Sequence, residues 1–457
     1  MGEASYHHGA LKRRVWKIAL PATGENLLQT SLVMVDTLMI ARYGAVALAA
    51  AAMAGVIVWR AQMTFGCIDR GAMAMAARCA GARDHERLGL AVAQSILIAV
   101  VIGTAMAFGG IWLAPDLLRW MKADSEVQRV GTAYLQIIAA ASIPRLFFAV
   151  IAASLRATGD TRTPMWISLW MNLLNVVLNF PLIYGIPAIA AIGFSGFAGL
   201  GLTGSGISTS IALVFAGAVV AWKIFSGRAT FQVHRSQFRP HWPTIRTLVR
   251  ISFPSFIEES LLSIGFLIFF RFIALLGTAA LAAHAISTRI ESLSFMGGVG
   301  FAIAAAALVG QALGEKNVEM ARAAFRLSTK HCVVLMSCVA VGLVAFAKPI
   351  VSVFAPGAPA IADVAAILLM IAAVEQPMLG AGMALGGALR GAGDTVTPMI
   401  SSLVCGIGIR VGVAWWLAFP MGWGIYGIYF GTMADWAVRS AMLYLFFRLE
   451  RWTRIKI

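Results

Sequence analysis

The stretch Ser154–Met165, SLRATGDTRTPM, returns near the other end of the chain as Ala388–Met399, ALRGAGDTVTPM, with eight of the twelve positions identical. An internal repeat is an architecture written twice. Working outward, other landmarks recur at nearly the same spacing: Pro21 and Glu25 as Pro254 and Glu258, the run Ala47–Ala50 as Ala280–Ala283, and Gly81 as Gly314. The chain reads as two copies of a unit of roughly 230 residues. Within the repeated stretch, Gly159 and Gly393 suit a left-handed helix end, Thr163 and Thr397 the cap of the next helix, and Pro164 and Pro398 its first turn. Arg156 and Arg390 fall in the last turn of the preceding helix and suit its negative dipole end. The motif reads as a tight helix-to-helix turn rather than a substrate contact.

Composition places this unit in a membrane. The 457 residues are 60% hydrophobic and 12% charged, with a mean hydropathy of +0.83. At about 20 apolar residues per crossing, that length holds about a dozen spans. Twelve apolar segments follow one another, six in each copy. The expected division is a cytoplasmic N-terminal segment (1–14), an N-lobe (15–225), a basic, Pro-punctuated linker (226–249), a C-lobe (250–447) and a cytoplasmic tail (448–457). Lys and Arg crowd the N-terminus, the even-numbered connections and the C-terminus. The odd-numbered connections hold Arg42, Arg119, Lys122, Arg129 and Lys348. Both termini should therefore be cytoplasmic, in a cytoplasmic (inner or plasma) membrane. An even number of spans gives the copies the same orientation. The expected fold is an all-α polytopic membrane protein, twelve transmembrane helices in two six-helix bundles related by a pseudo-two-fold axis along the membrane normal. Positive loops explain the net charge of +16 without a nucleic-acid partner.

Fuel-hydrolysing and enzymatic motifs are missing. No GxxxxGK[ST] loop is present, and Gly310–Lys316 lacks its spacing; HExxH, GxSxG and paired His/Cys metal spacings are absent too. The chain is not expected to be an enzyme or to carry a cofactor or bound metal, so uphill work falls to an ion gradient. The partners expected are the bilayer and small amphipathic molecules, with the protein a monomer.

Buried carboxylates in lipid need a partner or a task. Asp435 and Arg439 stand at i,i+4, the spacing of a structural ion pair. Asp69 and Glu291 adjoin Arg70 and Arg289, but adjacent helical residues diverge, so these acids should pair across helices. Glu25, Asp36, Glu258 and Glu375 have no Lys or Arg within four residues. Asp36 matches Phe269 in the second copy and Glu375 matches Ser142 in the first, a one-lobe placement that suits ion coupling. Glu25 and Glu258 each follow a proline by four residues; a broken-helix ion site and a symmetric structural role both fit. Asn172, Asn175 and Asn179 share one helix face, either to hydrogen-bond Asp36 or to hold helices together.

The patterns MVDTLMIARYGAVALAA, LR-x-x-GDT-x-TPM (twice), NLLNVVLNFPLIYG and LGTAALAAHAISTRIESLSFMGGVGFAIAAAALVGQALGEKN together resemble the multidrug and toxic compound extrusion family over essentially the whole chain. The resemblance implies two six-helix bundles in a V, exporting organic, often cationic compounds in exchange for Na+ or H+. Its VDT-type motif matches Val35, Asp36 and Thr37. Where one branch has an aspartate four residues after the fifth-helix asparagine, Asn175, this chain has Asn179. Where the other branch has a glutamate eight residues after the seventh-helix proline, it has Leu262, with Glu258 and Glu259 one turn earlier. The cation-coupling candidates are accordingly Asp36, Asn172, Asn175, Asn179, Glu258, Glu259 and Glu375. H+ is expected at Asp36; Glu258, Glu259 and Glu375 are the alternative place for Na+. Two other readings are a lipid-linked oligosaccharide flippase, suggested by Arg60, Arg70, Arg145, Arg271, Arg289 and Arg410 inside spans, and a non-transporting scaffold.

Overall fold

The computed structural model describes residues 2–186, 197–355 and 357–455, with side chains from Gly9 onward. The fifth-to-sixth connection, 187–196, lies outside the described residues. The first copy contains α1 (Gly2–Tyr43), α2 (Ala45–Phe65), α3 (Ile68–Gly81), α4 (His85–Trp120), α5 (Ser125–Ala140), α6 (Ser142–Ala157), α7 (Arg162–Asn179) and α8 (Leu202–Phe225). The second contains α9 (Trp242–Leu275), α10 (Thr278–Gly314), α11 (Val318–Phe354), α12 (Pro359–Gly391), α13 (Val396–Leu403), α14 (Arg410–Ala418) and α15 (Gly424–Arg448). A short antiparallel pair, Gly185–Ile186 with Phe197–Ala198, follows α7.

Eight helical stretches among the described residues are long and apolar enough to cross a membrane, and α5 with α6, bent by 44°, makes a ninth. The remaining three of the twelve expected segments are α1, α9 and α15, long helices that fall short on composition. They carry Glu25 and Asp36, Glu258 and Glu259, and Asp435 and Arg439. The charges that single out candidate sites also lower the apolar signal of the helices that hold them.

Small residues set the packing. Gly387 and Gly391 of α12 lie so close to α10 that a Cβ on either would stand 2.3 and 2.1 Å from the carbonyl oxygens of Ala302 and Ala306. In lipid, such close approach replaces the hydrophobic drive that holds soluble helices together. The same device joins the two copies. A Cβ on Gly81 would meet Gln311 O at 1.9 Å, and one on its repeat mate Gly314 would meet Arg78 O at 2.1 Å. Around this crossing Arg78 Nη2 donates to Ala392 O and Ile455 O, both at 3.0 Å, and Gln311 Nε2 donates to Ala157 O at 2.7 Å. Each repeated turn thus receives a side chain from the opposite copy.

Four sequence expectations need correction. Residues 2–14 are not a separate lead-in but the first turns of α1, with Leu11 and Val15 buried against α10 and Arg14 Nη2 donating to Gln311 Oε1 at 2.8 Å. The linker ends earlier than 249, because Pro243 starts α9 in its first turn. It also docks on the first copy: Gln94 Nε2 donates to Gln237 O (2.6 Å) and Arg239 O (2.9 Å), and Gln94 Oε1 accepts from His241 N (3.0 Å). The tail beyond 448 folds back, burying Trp452 against Phe447 and Phe325. In the repeated turn, Asp160 and Asp394, rather than Thr163 and Thr397, supply the cap. Their Oδ1 atoms accept from Thr163 N and Thr397 N, each at 3.0 Å.

Candidate cation-coupling site

In the first copy α1 brings Asp36 against α7 and α8. Asn179 Nδ2 donates to Asp36 Oδ1 at 2.5 Å. In the amide orientation that satisfies both its atoms, Asn175 Nδ2 donates to the same oxygen at 2.9 Å, while its Oδ1 accepts from Thr209 Oγ1 at 3.0 Å. Ser208 Oγ in turn donates to Asn179 Oδ1. Asn175 and Asn179 are fully buried, and α7 continues after Asn179 into a wider, π-helical turn, Phe180–Tyr184, of the kind that often marks a functional position. Asn172 belongs to the same face but not to the same cluster. Its Nδ2 donates to Leu28 O at 2.7 Å, and its Oδ1 has no partner among the described residues. Asp36 makes no ion pair among the described residues; two neutral amides hold it. Ser208 and Thr209 did not figure among the sequence candidates, although the small polar run Ser208–Ser210 in α8 was the signal.

The acids that follow the repeated prolines are wired differently. Glu25 and Glu258, repeat mates, are 2% and 3% exposed and are each met by the arginine of the repeated turn: Arg156 Nη1 stands 2.9 Å from Glu25 and Arg390 Nη2 2.8 Å from Glu258. Neither acid sits at a broken helix, since α1 and α9 run continuously through Pro21 and Pro254. The duplicated acid is a duplicated ion pair. Glu258 also accepts from Ser402 Oγ at 2.6 Å and lies 3.9 Å from Arg70 of α3, while Glu259 pairs with Arg70 directly. These two candidates therefore tie the copies together and are already neutralised.

Asp435, fully buried, pairs with Arg439 Nη2 at 2.8 Å and with Arg410 Nη2 at 2.7 Å. Arg439 Nη1 passes on to Ser402 Oγ at 2.9 Å, an approach that Gly406 permits, since a Cβ there would stand 2.9 Å from Arg439 Nη2. Glu291 faces Glu375 of α12 across the helix interface, and the cross-helix base within Coulombic reach of both is Arg410. The Glu375 carboxyl lies against Glu291 of α10 and Thr432 of α15, and its Oε2 lacks a settled hydrogen-bond partner. Of the arginines inside spans, Arg70 and Arg410 are held by acids.

Two candidate sites are thus assembled, one in each copy: Asp36 with its amides, and Glu291 with Glu375. Residues 21–180 and again 254–416 match the protein-family model described as MatE. The chain belongs to the MatE family. The two matched segments of this MatE protein begin at Pro21 and Pro254, the prolines of the internal repeat. Among curated relatives, it is 28% identical to a "Probable multidrug resistance protein NorM" of Thermotoga maritima, over 97% of this chain and 94% of the relative. It is also 28% identical to a "Multidrug resistance protein NorM" of Burkholderia vietnamiensis, over 95% and 93%. Among solved structures it matches "Crystal structure of MATE in complex with MaL6" and "Outward-facing conformation of a multidrug resistance MATE family transporter of the MOP superfamily". Each match has a TM-score of 0.88 at 21% identity over 96% of both chains. The MatE chain shares their fold.

Proposed function

We propose that this protein is an integral membrane antiporter with twelve spans in two six-helix lobes. In this reading it exports small organic amphipathic compounds, organic cations among them, in exchange for H+ bound at Asp36. Family membership and the names of the relatives support export of drug-like molecules, and positive-inside charge supports cytoplasmic termini. The observation that carries the ion assignment is Asp36 itself, a carboxylate held by Asn175 and Asn179 with no cationic side chain paired to it among the described residues. A paired acid has its counter-charge already; an acid on neutral amides is free to exchange one. In this reading the lobes, crossed tightly at the end that bears Gly81 and Gly314, part toward the other side, which positive-inside charge makes the exterior. There an external cation reaches Asp36 and neutralises it, α1 repacks against α7, and the compound loses affinity and leaves. Compound and ion need only favour different states of the same carboxylate.

A second coupling site is favoured by one specific observation. Glu291 and Glu375 face each other and share Arg410 with Asp435, so that one positive charge serves three acids and a proton or cation is favoured beside them. The test is transport of a fluorescent organic cation in proteoliposomes under separately imposed pH and Na+ gradients. We expect the pH gradient alone to drive export, and Asp36→Asn to lower it about tenfold or more at unchanged expression. Undiminished export by that variant overturns the assignment. Export driven only by Na+ and abolished by Glu375→Gln moves the coupling site to the second lobe.

A further inference from the structure

Trp242, Arg246, Val249, Arg250 and Phe253 stand at i, i+4, i+7, i+8 and i+11 in α9 and so share one helix face. All five are exposed, Trp242 by 74%, Phe253 by 56% and Val249 by 45%. The opposite face is packed, with Thr244, Leu248 and Ile251 buried. At about 1.5 Å per residue the exposed face runs for about 16 Å, further than the roughly 5–8 Å depth of a headgroup layer. In a membrane-spanning α9 its first turn therefore stands among headgroups and its last among acyl chains. Trp242 is then where an interfacial indole belongs, and Phe253 is in the hydrocarbon.

The internal repeat supplies a comparison. At the spacing that relates Pro21 to Pro254, Arg13, Lys17 and Leu20 of α1 are the mates of Arg246, Arg250 and Phe253, and they are exposed as well. Both copies thus begin a long helix with an outward basic pair followed by an apolar side chain. The second copy differs in the turn before, where Trp242 and Pro243 replace Gly9 and Ala10. Here a cavity of about 530 Å³, within the range of small-molecule sites, is lined by Trp242, Pro243, Arg246, Thr247 and Arg250. Among the described residues its lining carries two guanidiniums and no carboxylate. Thr247 Oγ1 donates to Pro243 O at 2.9 Å, and a proline has no N–H, so donors to an occupant come from the arginines and the indole.

We propose that this cavity binds the headgroup of an anionic phospholipid of the cytoplasmic leaflet. Arg246 and Arg250 donate to the phosphate, the Trp242 indole to a headgroup oxygen, and an acyl chain lies along Val249 and Phe253. Two positive charges with no carboxylate beside them in the lining favour a headgroup that has no ammonium of its own, so phosphatidylglycerol is preferred to phosphatidylcholine. A soluble anion or an acidic peptide would meet the arginines but not the apolar side chains that carry the face on into the bilayer. A lipid held here braces the helix whose Glu258 and Glu259 tie the copies together. The inference rests on the membrane reading above and is independent of what is exported.

The test is native mass spectrometry of the full chain purified in detergent, titrated in turn with dioleoyl phosphatidylglycerol and dioleoyl phosphatidylcholine. We expect one phosphatidylglycerol to bind about tenfold more tightly than phosphatidylcholine, and Arg246→Gln to remove most of that preference. Arg246→Lys, which keeps the charge but loses the planar fork, should fall between them. Arg13→Gln combined with Lys17→Gln takes two charges from the repeat-mate positions and should lower the preference less than the single Arg246→Gln does. Equal binding of the two lipids overturns the site, as does a preference that survives Arg246→Gln or falls as far in the Arg13 and Lys17 variant. Displacement of the bound lipid by an equal concentration of glycerol phosphate makes the cavity a site for soluble phosphate and overturns the lipid assignment too. A chain that stays monodisperse without detergent defeats the membrane reading itself, and the site with it.

Discussion

Glu25 is almost wholly buried, and Arg156 Nη1 reaches both its carboxylate oxygens, at 2.9 and 3.0 Å. Removing the base alone strands a charge inside the protein, whereas removing both partners does not. Arg156→Ala should therefore cost about 3–5 kcal/mol, and Arg156→Met combined with Glu25→Leu should recover most of it. Thermal unfolding in detergent checks this; a double variant that melts no higher than the single one contradicts the assignment. A merely structural pair also predicts that the double variant still exports. Single residues were legible to different degrees. Asp36 and the asparagine face could be read from the chain, because i,i+3 and i,i+4 spacing fixes which side chains share a helix face. The partners of Glu25 and Glu258 could not, since they lie 131 and 132 residues away and no local spacing records such contacts. For Glu291 the chain excluded the adjacent Arg289 but could not name Glu375 or Arg410, which other helices bring to it.

Among the elements, the linker is docked on the first copy: Phe231 and Val233 are buried and Gln94 of α4 holds two of its carbonyls and one of its amides. Gln94→Ala removes all three bonds and leaves buried backbone groups without partners. We expect trypsin to cut this variant at Arg235 or Arg239 about tenfold faster than the wild type, because cleavage follows the population of the opened segment. Equal cleavage rates would show that the buried apolar side chains suffice. The anchor was invisible in sequence, for a lone glutamine in an apolar helix has many uses. The start of α9 was placed at 250 instead of Trp242, although Trp242-Pro243 carries a helix-initiating signal. The early start of α1 was half visible: Leu11, Val15 and Ile18 keep helical spacing, but Lys12, Arg13 and Arg14 between them disguise it as a tail.

For the whole molecule, the repeat sets the same landmarks in both copies, and the crossing of Gly81 and Gly314 shows how the copies meet. A methyl group on either glycine collides with backbone rather than with a side chain that can swing away. Gly314→Ala should therefore disfavour the crossed arrangement by about 1–3 kcal/mol, moving the lobes apart at this end. Distances between spin labels on Arg83 and Lys316, measured with and without the substitution, check it; an unchanged distribution refutes it. Paired repeat positions explain why so much of the plan was readable from one chain: each landmark appears twice, and a coincidence is not expected to repeat at one spacing. What the repeat hides is what differs between copies, and the candidate sites are made of those differences.

The clasp around Arg78 has a consequence for how the protein is made. The carbonyls it grips belong to Ala392 and Ile455, 314 and 377 residues further along the chain. At about 5–20 residues per second, the ribosome delivers them on the order of tens of seconds after α3 has entered the membrane. For that interval the first lobe carries an arginine with nothing to hold and a glycine face with nothing against it. Whatever inserts and guards membrane proteins during synthesis must shelter that surface until the second lobe arrives.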